Sequence, residues 1–285
     1  MCGRYTLTSA PEAIRALFGY AEQPNFPPRY NIAPTQPIAV VRIARDQAEW
    51  EPVGRPDRAP ESKIGARPDA KPEPTFAGRA PGKRQFALVR WGLLPSWVKD
   101  PRAFTLVINA RGESVLEKPA FRAAMKYRRC LIPADGFYEW QAGGSRKRPF
   151  YIRAKDGAPL AFAGLWESWT GPNGEELETA AIVTTNANKM LSPLHDRMPV
   201  VVPPEAFDLW LDCAHVDAET AAALIAPARD DVLEAYEIST AVNRVANDDA
   251  KLLEPVAPGA EPAPAPPKRA AARRAKSGGG QGVLF

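Results

Sequence analysis

Histidine and cysteine are scarce, with 2 and 3 copies in 285 residues. Three scattered cysteines, Cys2, Cys130 and Cys213, cannot build a disulfide scaffold and fit free thiols in a reducing compartment. Zinc needs three or four ligands; Cys213-Ala-His215 supplies half a set with no second pair, so neither a metal nor another cofactor is expected. No apolar run approaches the roughly 20 residues of a membrane span, and MCGRYTLTSA lacks the apolar stretch of a secretory leader. A cytoplasmic protein without a membrane partner is the expectation.

Proline is plentiful, with 31 copies, and it is concentrated. Glu51–Gln85 holds seven prolines with little apolar periodicity, and Pro255–Pro267 holds six in an Ala/Gly setting. Neither segment can bury enough apolar surface to offset its ordering entropy. The first is expected to be a disordered insertion (51–85) and the second a linker opening a disordered tail (255–285). The remaining body, within 1–254, has ample apolar material for one domain. The formal net charge of +4 also resides in these segments: +5 from Pro262 to Phe285 and +3 from Glu51 to Gln85, which leaves the rest at −4. The basic pI therefore says nothing about nucleic acid by itself; a local basic groove would be needed.

Runs rich in Val, Ile and aromatics predict strands at 3–8, 37–44, 86–91, 149–153, 160–169, 177–185 and 198–202, with a hairpin at Pro172-Asn-Gly174. Ser9-Ala-Pro-Glu12 is spelled like a capping box and Gly19 follows the apolar run, which predicts a helix over 10–18. Further helices are expected at 119–127, 204–212 and 217–226. Many strands with few, dispersed helices indicate an α+β fold on a mixed or antiparallel sheet.

The chemistry starts at Cys2. A small second residue followed by Gly permits removal of Met1, and the exposed terminus would then be a 1,2-aminothiol. Its α-amine, of ordinary pKa about 7.7–8.0, is partly neutral near pH 7 and attacks aldehydes; the adjacent thiol then closes a five-membered thiazolidine on the same carbon. Three other segments carry polar groups in apolar settings. Leu106–Glu113 ends a strand in Asn109-Ala-Arg111, where Asn can orient a carbonyl and Arg can grip a phosphate. Ala134-Asp-Gly-Phe-Tyr-Glu-Trp140 sets Glu139 between aromatics, where a raised pKa and acid/base work are expected. Leu194–Pro199 contains His195. Cys130, Trp166, Trp169 and Trp210 read as packing, and His215 as a solvated neighbour of a helix start.

Taken together, MCGRYTL, Arg29-Tyr-Asn-Ile-Ala-Pro34, Trp91-Gly-Leu-Leu-Pro-Ser-Trp97, Ile108-Asn-Ala-Arg111, Ala134–Trp140 and His195-Asp-Arg-Met-Pro199 resemble the SOS response-associated peptidase (SRAP) family, from Cys2 to about Val256. The resemblance implies a single SRAP-type domain with a barrel-like sheet core and peripheral helices. It implies a DNA damage response protein that traps abasic sites in single-stranded DNA as a thiazolidine crosslink. On the matching positions Cys2 is the nucleophile, Asn109 positions amine and sugar, Glu139 is the acid/base, and His195 assists proton transfer to the sugar. Arg4, Arg111 and Arg197 are expected at flanking phosphates, Trp91, Trp97 and Trp140 along the DNA path, and Thr184 as a DNA contact. The only cleavage the sequence requires is loss of Met1.

The final residues, Gln281-Gly-Val-Leu284-Phe285, resemble the bacterial sliding-clamp pentapeptide on a basic tether, so the clamp is a second expected partner of a monomeric protein. Two other readings are open at this level: an N-terminal-nucleophile hydrolase using Cys2, His195 and Glu139 as a loose triad, and a single-strand binding module in which Cys2 is incidental.

Overall fold

Pro37–Ile43 is a nearly continuous apolar, β-branched run, and such a strand must be covered on both faces. The computed structural model describes residues 2–44, 82–141 and 147–256 and shows how this is achieved. Twelve strands are described: β1 Tyr5–Leu7, β2 Arg29–Ile32, β3 Pro37–Ile43, β4 Arg84–Trp91, β5 Asn109–Arg111, β6 Arg129–Ala134, β7 Gly136–Gln141, β8 Arg148–Ala154, β9 Leu160–Thr170, β10 Glu176–Asn186, β11 Arg197–Pro199 and β12 Leu233–Glu237. Strands β4, β3, β6, β9 and β10 pair in that order, and β10 returns to β4, so the sheet closes into a five-stranded barrel. The closing β10–β4 contact is parallel and the other four are antiparallel. Short β5 and β11 also pair with β10. A second, antiparallel sheet runs β12-β8-β7-β1-β2. One large apolar cluster containing Tyr5, Trp91, Phe137 and Phe162 joins the two sheets. The α+β, barrel-like expectation holds.

Four short α-helices lie outside the strands: α1 Pro11–Phe18, α2 Arg122–Tyr127, α3 Phe207–Leu211 and α4 Ala218–Ala222. Phe18 of α1 stacks on Phe207 of α3 with ring centroids 5.2 Å apart. The buried Arg129 guanidinium donates to the carbonyls of Met125, Trp210, Asp212 and Val216, which ties α2 and the end of α3 to β6.

Several expectations need correction. The capping box is not formed: α1 has no side-chain cap, because the Ser9 hydroxyl donates to Asp135 Oδ1 at 2.5 Å. A carboxylate from the strand turn outcompeted the local partner. Gly19 does end α1 in the left-handed region, at φ +70°. The expected insertion reaches too far, since β4 begins at Arg84, and the linker starts too early, since Pro255 bridges Ile238. Most of 51–85, the tail beyond Val256, and Gln281, Leu284 and Phe285 lie outside the described residues. Strands β2, β7 and β12 were not anticipated. Arg29–Ile32 alternates but over only four residues, and Leu233–Glu237 breaks its alternation at Ala235-Tyr236; pairing with β1 and β8 makes them strands. Among the described residues no helix is long and apolar enough to cross a membrane.

Candidate active site

Strand β1 brings the amino terminus inside the fold. It pairs antiparallel with β7 in the register Tyr5↔Phe137 and Thr6↔Gly136, and Tyr138 N–H donates to the Arg4 carbonyl at 3.0 Å. Continuing that register by two residues sets Gly3 opposite Glu139, so the chain at Cys2 runs beside the carboxylate. From the other side β5, held parallel to β10 with Asn109 opposite Ile182, presents Asn109. Its side-chain Nδ2 donates to the Cys2 carbonyl at 2.9 Å. Asn109 Oδ1 is buried and has no partner among the described residues.

The electrostatics follow from this burial. Cys2 is fully buried, and desolvation first, then the Glu139 charge, push its thiol well above the ordinary thiol range. Glu139 is itself buried; desolvation raises its carboxyl above the ordinary range and the nearby His195 partly opposes this. Each of these groups is therefore within electrostatic reach of the next. His195 follows a turn in which Asn188 Oδ1 accepts from Leu191 N–H and His195 N–H donates to the Leu191 carbonyl. Two neighbours compete for its Nδ1: the Arg197 N–H at 3.0 Å needs a lone pair there, and Asp196 Oδ1 at 2.8 Å needs a proton. Asp196 is 85% exposed and screened by solvent, so the backbone amide is the steadier of the two holds on the ring.

Cys2, Asn109, Glu139 and His195 are thus brought together. The expected DNA contacts divide. Arg4 is half-buried: its Nη1 donates to Asn31 Oδ1 at 2.8 Å and to the Val242 carbonyl at 2.9 Å, and among the described residues Nη2 and Nε have no partner. Arg111, at the end of β5, is exposed. Trp97 is 58% exposed and meets Phe104 edge-on at 5.8 Å. Trp140 is partly buried, with its indole N–H donating to Asn243 Oδ1 at 2.7 Å.

Three residues are committed elsewhere and are corrected here. Trp91 is fully buried, with its indole N–H on the Ile108 carbonyl at 2.9 Å, so no base can stack on it without opening the core. Thr184 is buried and serves Arg197 and the Ala110 carbonyl. Arg197 is only 8% exposed; Glu113 takes one hydrogen from each terminal nitrogen, Asn186 Oδ1 takes a second from Nη1 and the Thr184 carbonyl a second from Nη2, while the buried Nε has no partner among the described residues. The Arg197 partner pulls the Glu113 carboxyl below its usual range. The three arginines therefore do not form one open cluster; Arg4 and Arg111 retain accessible guanidinium groups.

Sequence reading passed over Asn31, Glu113 and Asn243. Glu113 repeats the period-2 spacing of Asn109 and Arg111, a signal that was available; Asn31 and Asn243 find their partners only through contacts remote in sequence. Cys130, Trp166, Trp169 and Trp210 are buried, and His215 Nδ1 lies 2.9 Å from Asp212 Oδ2. A cavity of about 360 Å³ beside Tyr20 and Arg84 and one of about 250 Å³ beside Arg15 and Glu22 contain none of the four reactive residues. Among the described residues no three His, Cys, Asp or Glu side chains converge as a metal site.

This geometry coincides with clear likenesses to known proteins. A family profile described as SOS response associated peptidase (SRAP) matches residues 1–245. The chain is 35% identical over 258 residues to the abasic site processing protein YoaM of Bacillus subtilis (strain 168), covering 89% of this chain and 98% of that one. It is 36% identical over 192 residues to the abasic site processing protein HMCES of Gallus gallus, covering 59% of this chain and 56% of that one. A crystal structure of a Bacteroides thetaiotaomicron protein superposes with a TM-score of 0.70 at 22% identity, over 90% of this chain and all of that one, and so shares the fold. A phage-related protein of Bordetella bronchiseptica gives a TM-score of 0.59 at 28% identity, over 83% and 94% of the two chains.

Proposed function

Because the chain belongs to the SOS response associated peptidase family, we propose that it processes abasic sites in DNA, capturing those in single strands as a thiazolidine through Cys2. The observation that carries this reading is the enclosed group formed by Cys2, its carbonyl held by Asn109, and Glu139 with a raised pKa beside His195.

The reaction begins once Met1 is removed. The neutral α-amine of Cys2 adds to the C1′ aldehyde of the ring-opened sugar, forming a C–N bond and a carbinolamine. Glu139, whose burial favours the protonated form, gives its proton to the departing hydroxyl, so water leaves and an iminium ion remains. The Cys2 thiol then adds to the iminium carbon; the new C–S bond closes the ring, the C=N electron pair returns to nitrogen, and the thiol proton goes back to the Glu139 carboxylate. Aldehyde and aminothiol become thiazolidine and one water. As the furanose opens, His195 assists by passing a proton to the ring oxygen, which becomes the 4′ hydroxyl, and the proton lost from the C1′ hydroxyl returns to it. Asn109 Oδ1 is an acceptor suited to the amine or the substrate hydroxyl.

The raised thiol pKa favours this order. A cysteine hydrolase requires a thiolate, and both burial and Glu139 oppose one at Cys2. An amine that attacks first has no such requirement. Arg4 and Arg111 are the phosphate contacts in this reading, and Trp97 and Trp140 offer stacking faces worth about 1–3 kcal/mol per base. The terminal Gln281, Leu284 and Phe285 add a docking segment for the sliding clamp at replication forks. Equal recovery of the clamp by wild type and Leu284→Ala/Phe285→Ala would dismiss that segment.

The test of capture is a denaturing gel of mature protein with abasic and intact single-stranded oligonucleotides. A heat-stable shifted band with the abasic strand only, abolished by Cys2→Ala, is expected. A band with neither strand, or one that survives Cys2→Ala, overturns capture.

A further inference from the structure

Asn31 is a fully buried polar side chain on β2 with no place in the capture chemistry, and every one of its hydrogen bonds leads to the same neighbourhood. Its Nδ2 reaches the carbonyls of Val242, Arg244 and Asn247 at 3.2, 3.1 and 2.8 Å. Its Oδ1 accepts from Arg4 Nη1 at 2.8 Å, and that nitrogen also donates to the Val242 carbonyl at 2.9 Å. From outside, Asp248 fastens the same segment to β2: its carboxylate accepts from the Tyr30 and Asn31 amides and pairs with Arg29 Nε at 2.6 Å. Between these two anchors Asn243 holds the Trp140 indole. One segment, residues 240–248, thus spans β2, Arg4 and Trp140.

A guanidinium offers five N–H hydrogens in a fixed plane. Here the protein occupies one terminal nitrogen of Arg4 with two carbonyl-type acceptors, while Nη2 and Nε have no partner among the described residues. Desolvation lowers the Arg4 pKa from its usual value, the cost of holding this cation against the body of the fold. A long, flexible side chain is in this way given one orientation before any ligand arrives, and less rotamer entropy is lost when a phosphate binds.

Resting on the reading of the site as a DNA-binding one, we propose that Asn31 is a positioning residue for single-stranded DNA. It clamps segment 240–248 so that Arg4 meets a backbone phosphate with its two remaining nitrogens.

The test is a double-mutant cycle read on an intact single-stranded oligonucleotide by fluorescence anisotropy at several salt concentrations. Arg4→Ala is expected to weaken binding about tenfold and to flatten the slope of log K against log salt by about 0.7, the share of one phosphate contact. Asn31→Ala, which removes no charge, is expected to flatten the slope by a similar amount and to add nothing further in the Arg4→Ala background. Multiplicative losses in the double variant, or an unchanged slope in Asn31→Ala, overturn the proposal; a merely structural Asn31 gives that result. If Asn31→Ala lacks a cooperative melting transition, Asp248→Ala replaces it, since it loosens the same segment from the surface. The same slope change is then expected, and an unchanged slope overturns the proposal. Crosslinking of an abasic strand by wild type is scored in parallel: its absence refutes the capture reading, whereas crosslinking with an additive cycle refutes only the role of Asn31.

Discussion

In the capture reaction proposed above, the chemistry turns on a carboxyl group in a dry environment. Burial raises the Glu139 pKa above the ordinary value, so the folded protein binds its proton more tightly than the unfolded chain does. The sign of the stability effect follows: Glu139 adds stability below the unfolded pKa of about 4.3 and loses that contribution as pH rises through the raised folded value. Glu139→Gln removes the charge that must be desolvated. At pH 8 the variant is expected to melt about 2–4 °C higher than wild type, the change made by roughly 1 kcal/mol in a domain of this size, with the difference gone near pH 4. The same substitution should lower the crosslinking rate by about 10² or more and erase the alkaline decline expected of wild type as Glu139 loses its proton. Melting curves and single-turnover gels across pH 4–9 measure both. A Gln variant that is less stable at pH 8, or one with the wild-type pH profile, would remove Glu139 from the acid role. Arg197 shows a second effect at this scale: an arginine drawn into a bidentate pair with Glu113 serves the frame beneath His195 and is withdrawn from any phosphate.

The β1–β7–β8 ladder is the element on which the site depends, and Gly136 is its tightest point. A Cβ at Gly136 would lie 2.5 Å from the Ile152 carbonyl oxygen and 2.5 Å from the Tyr151 ring. The first is backbone, and the second is held by the bond between Tyr151 Oη and Thr6 Oγ1 at 2.9 Å. Neither can yield cheaply. Gly136→Ala is expected to destabilise by about 1–3 kcal/mol, as overpacking in a closed core does. Because β7 also carries Glu139, the crosslinking rate should fall with stability. A thermal melt superimposable on wild type would contradict this packing. The strands legible in the sequence were those with dense β-branched and aromatic runs, such as Leu160–Thr170 and Glu176–Asn186. Strand β5 was legible only as a polar end to an apolar run, because three residues carry no period of their own and owe their extended form to β10.

For the whole molecule, closure of the barrel decides where variation is tolerated. The interval between β3 and β4 leaves at a hairpin end: Ile43 pairs with Arg84, and Ala44 N–H donates to the Lys83 carbonyl at 2.7 Å. Trp91, at the other end of β4, is seven residues away, about 23 Å at 3.3 Å per residue, and it is that end which abuts Ile108 and Asn109. Replacing residues 45–81 with a two-residue Asn-Gly turn should therefore leave the fold, the melting temperature within about 3 °C and the crosslinking yield intact. A soluble, folded deletion protein that no longer crosslinks would place part of the DNA path in that interval.

What the sequence determined alone was the chemical inventory and its order: a cysteine at the second position, one carboxylate among aromatics, an Asn at a strand end, one histidine close to an arginine, and enough β-branched runs to demand a sheet. These are local properties, written in side-chain type and spacing. Only the tertiary structure decided that Trp91 and Thr184 belong to the interior, that Arg197 belongs to Glu113, and that Asn31 holds Arg4 to a segment more than two hundred residues away. Burial and pairing are sums over neighbours remote in the chain. The same Arg or Trp is a surface contact or a buried brace according to which strand closes over it.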